Sequence, residues 1–130
     1  MYKTRKGGSA LDKVSADIRL ESLKSFQSTI RKTEKAVVQM KVKGAQTVFV
    51  EKRLHALHIG LAVLETVWNG KPNSFGIEEL VQARTVLAGL LPTIENQYAK
   101  SKAGSSQRTL LERRIQSLEL AIMAIDDLSN

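Results

Sequence analysis

Apolar residues recur three and four positions apart along almost the whole chain, the spacing of side chains that share one face of an α-helix. Turn-forming residues divide this pattern into four stripes, with breaks at Lys43-Gly44, at Asn69-Gly70 before Pro72, and at Gly104. In chain order, the stripes are Leu23, Phe26, Ile30, Thr33, Val37 and Met40; Val50, Leu54, Leu57, Leu61, Leu64 and Trp68; Ile77, Leu80, Arg84, Leu87, Leu91, Ile94 and Tyr98; and Leu111, Ile115, Leu118, Ile122 and Ile125.

Helices joined by short loops pack antiparallel to their neighbours, because a few residues cannot lead the chain back along a whole helix. The sequence therefore predicts an all-α fold, an up-down-up-down four-helix bundle. With 42% apolar residues in 130 positions, the chain has enough material for one core. We expect a single domain over residues 10–130, preceded by a flexible basic tail over residues 1–9.

Two irregularities interrupt this simple pattern. A first helix from Ala10 to Lys43 would be about 50 Å long, and its early residues Leu11, Val14 and Ile18 are out of phase with the stripe that begins at Leu23. Two alternatives follow: the helix breaks near Glu21-Ser22 and the first segment folds back over the bundle, or the segment projects and joins a second copy in a homodimer. In the third helix, Pro92 and Gly89 predict a kink near Ala88.

Charge adds a functional expectation. The net charge is +7, from 20 basic and 13 acidic residues, and the stretch from Lys24 to Arg53 holds eight basic residues against two acidic ones. Up-down-up-down order would bring the first and third loops to the same end of the bundle. The predicted basic pole consists of Lys41, Lys43, Lys52, Arg53, Lys100, Lys102 and Arg108, and the opposite pole would hold Glu78, Glu79, Asp126 and Asp127.

Helix dipoles account for part of this basic pole, because cations are favoured near helix C-termini. They do not account for Lys52, Arg53 and Arg108, which fall in the first turns of their predicted helices. A concentrated positive field attracts polyanions, so we expect a partner that is nucleic acid or an acidic protein surface. No known nucleic-acid-binding motif is present, which predicts phosphate contacts and a steep salt dependence if nucleic acid binds.

Candidate catalytic chemistry is sparse. Glu51, His55, His58 and Glu65 share one side of the second helix, but their spacing differs from that of di-metal sites in helical bundles, so no metal or cofactor is predicted. Arg84 interrupts an apolar stripe and is expected either to extend its guanidinium to the solvent or to pair with an acid such as Glu51 or Glu119. Two aromatic residues, Trp68 and Phe75, are expected to close one end of the core.

The sequence thus predicts a non-enzymatic binding protein whose basic pole meets a polyanion. The alternative is a structural or adaptor bundle that self-associates through Leu11, Val14 and Ile18 and regulates another protein without contacting nucleic acid. The absence of cysteine fits a reducing cytosol. Because the longest apolar run, Ile59 to Leu64, is too short to cross a bilayer, a cytoplasmic protein without a membrane partner is expected.

Overall fold

Residues 10–129 are described by a computed structural model, in which they form four α-helices and no strand. The helices are α1, Ala16–Val42; α2, Val48–Asn69; α3, Ile77–Lys100; and α4, Ser106–Ser129. A single 3₁₀ turn over Ala10–Lys13 precedes them. The predicted all-α four-helix bundle is confirmed, while the predicted flexible tail over residues 1–9 lies outside the described residues.

Helices α1 and α2 form an antiparallel hairpin. At its closed end, Lys41 Nζ lies 3.2 Å from Glu51 Oε1, and at its open end the guanidinium of Arg19 lies 5.7 Å from the centroid of the Trp68 ring. The connecting turn needs a left-handed residue, which Gly44 supplies with φ 73°. The Ala45 amide then donates to the Met40 carbonyl and closes the end of α1.

Helices α3 and α4 form a second antiparallel hairpin. Near the start of α3, Arg84 makes a two-pronged ion pair with Asp126 of α4, with Nε 2.6 Å from Oδ1 and a terminal nitrogen 3.1 Å from Oδ2. Near the end of α3, the Tyr98 ring packs against Arg108 of α4. Arg84 is therefore ion-paired as expected, although its partner is neither Glu51 nor Glu119.

The connection between the two hairpins departs from a simple up-and-down course. After Gly70 the chain turns back along α2: the Asn73 side-chain amide donates to Thr66 Oγ1 over 2.6 Å. Helix α3 then begins beside the first half of α2, where His55 Nε2 lies 3.7 Å from Glu79 Oε2. In a strict up-down-up-down order, Glu79 would instead lie near Asn69, at the other end of α2.

The first segment breaks and folds back, but the break is at Ser15 and the prediction of Glu21-Ser22 is wrong. Ser15 Oγ accepts a hydrogen bond from the Ile18 amide, a standard N-cap that starts α1 at Ala16. Arg19 then donates to the carbonyls of Val14 and Asp12 and fixes the preceding turn. Leu11 is completely buried and accepts a hydrogen bond from Trp68 Nε1 through its carbonyl.

This geometry argues against the self-association stripe. Leu11 is part of the chain's own core, and Val14 and Ile18 are half-buried against the same cluster. A second copy could reach Leu11 only if the segment first left the core. The structure therefore does not have the projecting, exposed stripe that was the second alternative for this segment.

All four helices contribute to the core, and α1, α2 and α3 meet within it around Gly60. A Cβ atom at Gly60 would lie 2.8 Å from the Phe26 ring and 3.1 Å from Leu87, so this glycine permits the close approach of the three helices. As expected, Trp68 and Phe75 pack against the core, both half-buried. Helix α3 continues through Gly89 and Pro92 as one helix, and the kink near Ala88 stays a prediction.

Candidate polyanion-binding surface

The seven residues predicted to share one basic pole separate into two groups. Lys41, Lys43, Lys52 and Arg53 flank the turn between α1 and α2, a region called here the α1–α2 tip (residues 38–53). Lys100, Lys102 and Arg108 flank the turn between α3 and α4. One end of α3 lies near the first group and the other end lies near the second, so the length of α3 gives the distance between the two groups.

Lys52 shares a groove with Glu79 and Gln82 in the first turns of α3. Arg108, in contrast, contacts Tyr98 and Ser101 at the other end of that helix. Sixteen residues separate Gln82 from Tyr98, which at 1.5 Å per residue is about 24 Å. The prediction of a single basic pole is therefore wrong, and so is the placement of Glu79 at an opposite pole, because the connection after α2 folds back and places the start of α3, not its end, beside the α1–α2 tip.

Arg108 has a structural contact that explains its position in the first turn of a helix. Its guanidinium lies 4.1 Å from the centroid of the Tyr98 ring and donates to the carbonyls of Tyr98 and Ser101 at 3.2 and 3.1 Å. Both carbonyls lie at the C-terminus of α3, where a cation is favoured, and the Tyr98 carbonyl also accepts from the Ser101 amide and hydroxyl. The charge of Arg108 is directed at its own chain.

At the α1–α2 tip, one cation is neutralised by a neighbour. Glu51 pairs with Lys41 and accepts a hydrogen bond from Thr47 Oγ1 at 3.0 Å. These two hydrogen bonds, together with the positive charge of Lys41, hold the pKa of the Glu51 carboxyl below its usual value. The Lys41–Glu51 pair closes the hairpin, and Lys41 is correspondingly less available to a partner.

The remaining cations of this region are exposed and have no carboxylate within ion-pair distance in residues 10–129. They continue from the tip along the outer face of α1, where Arg31 and Lys35 are one helical turn apart. The other acid of this stretch, Glu34, lies 4.0 Å from His58 of α2. The exposed, unpaired set is Lys24, Arg31, Lys32, Lys35, Lys43, Lys52 and Arg53.

Large apolar side chains are exposed among these cations, a feature that the sequence reasoning missed. Val42 is 82% exposed and Phe49 is 78% exposed. Val38 and Val48 are also more than half exposed. The signal was present in the periodicity: all four residues fall outside the helical stripes that run through the buried Val37 and the half-buried Val50.

A groove of about 290 Å³ opens next to this tip, between the first halves of α2 and α3. Its floor is narrow because Ala56 and Ala83 are buried there and bring the two helices together. Lys52 borders the groove on the α2 side and the half-exposed Val81 borders it on the α3 side. Phe49 precedes Lys52 by three residues, so tip and groove form one continuous surface.

The four residues considered for metal binding have four different partners. His55 faces Glu79 and His58 faces Glu34, while Glu51 pairs with Lys41 and Glu65 with Lys71. Within the described part of the chain, no group of three or more His, Asp or Glu side chains has an arrangement that could hold a metal ion. These four residues lie on one side of α2, but their side chains contact separate partners and do not form a cluster.

Comparison of the chain with protein-family models, with curated proteins and with solved structures found no match. None of the helices within residues 10–129 combines the length and apolar character required to cross a bilayer. Functional inference therefore depends on the geometry of the surface itself.

Proposed function

We propose that this protein is a non-enzymatic binding protein that engages a polyanion through the α1–α2 tip and the adjoining outer face of α1. The observation that carries this proposal is the set of seven exposed cations from Lys24 to Arg53 that have no carboxylate partner among residues 10–129. Unpaired like charges on one hairpin repel each other and raise the local potential. A polyanion that binds there relieves this repulsion and releases counterions.

The second basic group is excluded from the proposed surface. Arg108 is engaged by the C-terminus of α3, and Lys100 and Lys102 lie at the same distant end of the molecule. This distinction provides a matched control, because an equal charge change can be made at either end of α3.

The test compares two variants on immobilised heparin and on a 20-base-pair DNA. One variant carries Lys43→Glu and Lys52→Glu at the tip, and the control carries Lys100→Glu and Lys102→Glu. We expect the tip variant to elute at much lower salt and the control to elute close to the wild type. For DNA, the slope of log affinity against log salt should fall by about 0.9 for each phosphate contact that is lost.

Circular dichroism of both variants checks that helicity is retained. Equal losses in the two variants would mean that net charge alone governs retention and would contradict a localised site. Unchanged retention of the tip variant would contradict the proposed function.

A further inference from the structure

The α1–α2 tip combines positive charge with exposed apolar surface, and each feature points to a different property of the partner. Phe49 and Val42 are among the most exposed large apolar side chains of residues 10–129, and Lys43, Lys52 and Arg53 surround them in sequence. We propose that this surface docks an acidic protein segment that carries a large apolar side chain. The inference depends on the proposed function and specifies the class of polyanion.

The apolar component favours a protein segment over nucleic acid. Single strands bind without sequence preference by stacking successive bases on aromatic side chains, and Phe49 is the one ring among the four exposed apolar side chains of the tip, since Val38, Val42 and Val48 are aliphatic. Phosphate contacts to duplex DNA use cations alone and would leave all four exposed apolar side chains of the tip in water. Protein interfaces, in contrast, bury apolar anchors at their centre and surround them with polar contacts.

Charge complementarity excludes a symmetric second copy on this surface. A two-fold axis through the tip would bring Lys43, Lys52 and Arg53 of one chain against the same residues of the other. Like charges placed together at an interface cost affinity. An acidic segment has the opposite sign to these three cations, and the one carboxylate that lines the adjoining groove, Glu79 beside His55, limits where the segment's own carboxylates can lie.

The groove beside Phe49 suggests how such a segment would lie. Its apolar side chain would enter between α2 and α3, against Val81 and Val86, while a flanking carboxylate would reach Lys52 on the α2 side of the rim, away from Glu79 on the α3 side. Further carboxylates would meet Lys43 and Arg53 across the tip. The volume of about 290 Å³ is at the lower end for ligand pockets and suits one or two side chains of a peptide.

The test is a selection of displayed random 16-residue peptides on the full chain. Selections on Phe49→Ser and on Leu110→Ser run in parallel; Leu110 is an exposed apolar residue of α4, far from the tip, and serves as the control. We expect the wild type and Leu110→Ser to enrich peptides in which acidic residues flank Phe, Leu, Ile or Trp. Phe49→Ser should lose this enrichment.

Calorimetry then measures the best peptide, its analogue with the apolar residue replaced by alanine, a 20-nucleotide oligo-dT and phosphatidylserine vesicles. Removing either the apolar residue of the peptide or Phe49 should weaken peptide binding at least about tenfold, as for an interface hot spot. Binding of oligo-dT should be unaffected by Phe49→Ser.

Three results would overturn the inference: enriched peptides that are acidic but lack large apolar residues, no enrichment over Phe49→Ser, or a loss of oligo-dT or vesicle binding in Phe49→Ser that matches the loss of peptide binding. Salt-dependent retention on heparin that survives any of these results would leave the proposed function intact. Loss of both would reject both.

Discussion

Arg108 lies with its guanidinium 4.1 Å from the centroid of the Tyr98 ring and donates to the Tyr98 carbonyl at 3.2 Å. One side chain therefore makes a cation–π contact with α3 and adds hydrogen bonds to two carbonyls at its C-terminus. We predict that Arg108→Ala lowers the free energy of unfolding by about 1–3 kcal/mol, because the contact and the charge-assisted hydrogen bonds are lost together. Urea denaturation measures the change.

Lys102→Ala is the control for Arg108. Lys102 is exposed in the same turn and has no ion-pair partner among residues 10–129, so its effect should stay within about 0.5 kcal/mol. Equal effects of the two substitutions would contradict a capping role for Arg108. Retention of Arg108→Ala on heparin should equal that of the wild type, since this cation is assigned to the fold.

Gly60 and Gly89 provide a matched pair of glycines, both inside helices. A Cβ at Gly60 would approach the Phe26 ring to 2.8 Å, whereas a Cβ at Gly89 has nothing within 4 Å. We predict that Gly60→Ala destabilises the fold by about 1–3 kcal/mol through overpacking. Gly89→Ala should stabilise it by up to about 1 kcal/mol through helix propensity. Thermal unfolding of both variants checks the opposite signs.

The buried position of Leu11 tests the folded-back segment. Leu11→Ala should cost about 2–5 kcal/mol, the range for a fully buried leucine. The molar mass by light scattering should not change, because the side chain packs within its own chain. A variant of wild-type stability whose dimer dissociates would instead restore the self-association hypothesis.

The Glu51 carboxyl predicts a pH dependence at the closed end of the α1–α2 hairpin. Its pKa in the folded chain is below the unfolded value, because Lys41 and Thr47 stabilise the charged form. The contribution to stability is therefore present above the unfolded pKa of glutamate and is lost as the pH falls through the lower, folded value. The difference in melting temperature between the wild type and Glu51→Gln should shrink as the solution is acidified.

Glu112→Gln serves as the comparison for Glu51→Gln. Glu112 is exposed on α4 and has no ion-pair partner within residues 10–129. Its effect on the melting temperature should be small at every pH. A Glu51→Gln difference that is constant with pH would show that the Lys41–Glu51 pair adds nothing to stability.

Periodicity predicted the helices well because burial of an apolar face is a local property of the sequence. The turns at Gly44, Gly70 and Gly104 are where glycines were expected to end helices, and all three have positive φ. The prediction of the buried face of α2 was less accurate. Ala56, Ile59 and Val63 are buried outside the predicted stripe, because α2 contacts other helices on more than one side.

The path between the two hairpins could not be read from the sequence. A seven-residue connection can extend past a helix or fold back along it, and the choice depends on tertiary contacts such as that of Asn73 with Thr66. This single choice decided whether two basic groups became neighbours. The break at Ser15 was closer to being predictable, since Ser15 is a good N-cap residue. The hydrogen bonds from the Arg19 side chain that fix the preceding turn cannot be predicted from apolar periodicity.

The capping contact of Arg108 has a wider consequence for electrostatics in small basic proteins. Some of the excess cations cap the ends of helices, and only the others are available to bind a ligand. Two variants with the same isoelectric point can therefore differ in ligand affinity, according to which lysines and arginines already have internal acceptors. Solubility should depend on the total charge, whereas ligand recognition should depend on the lysines and arginines that have no acceptor within the protein.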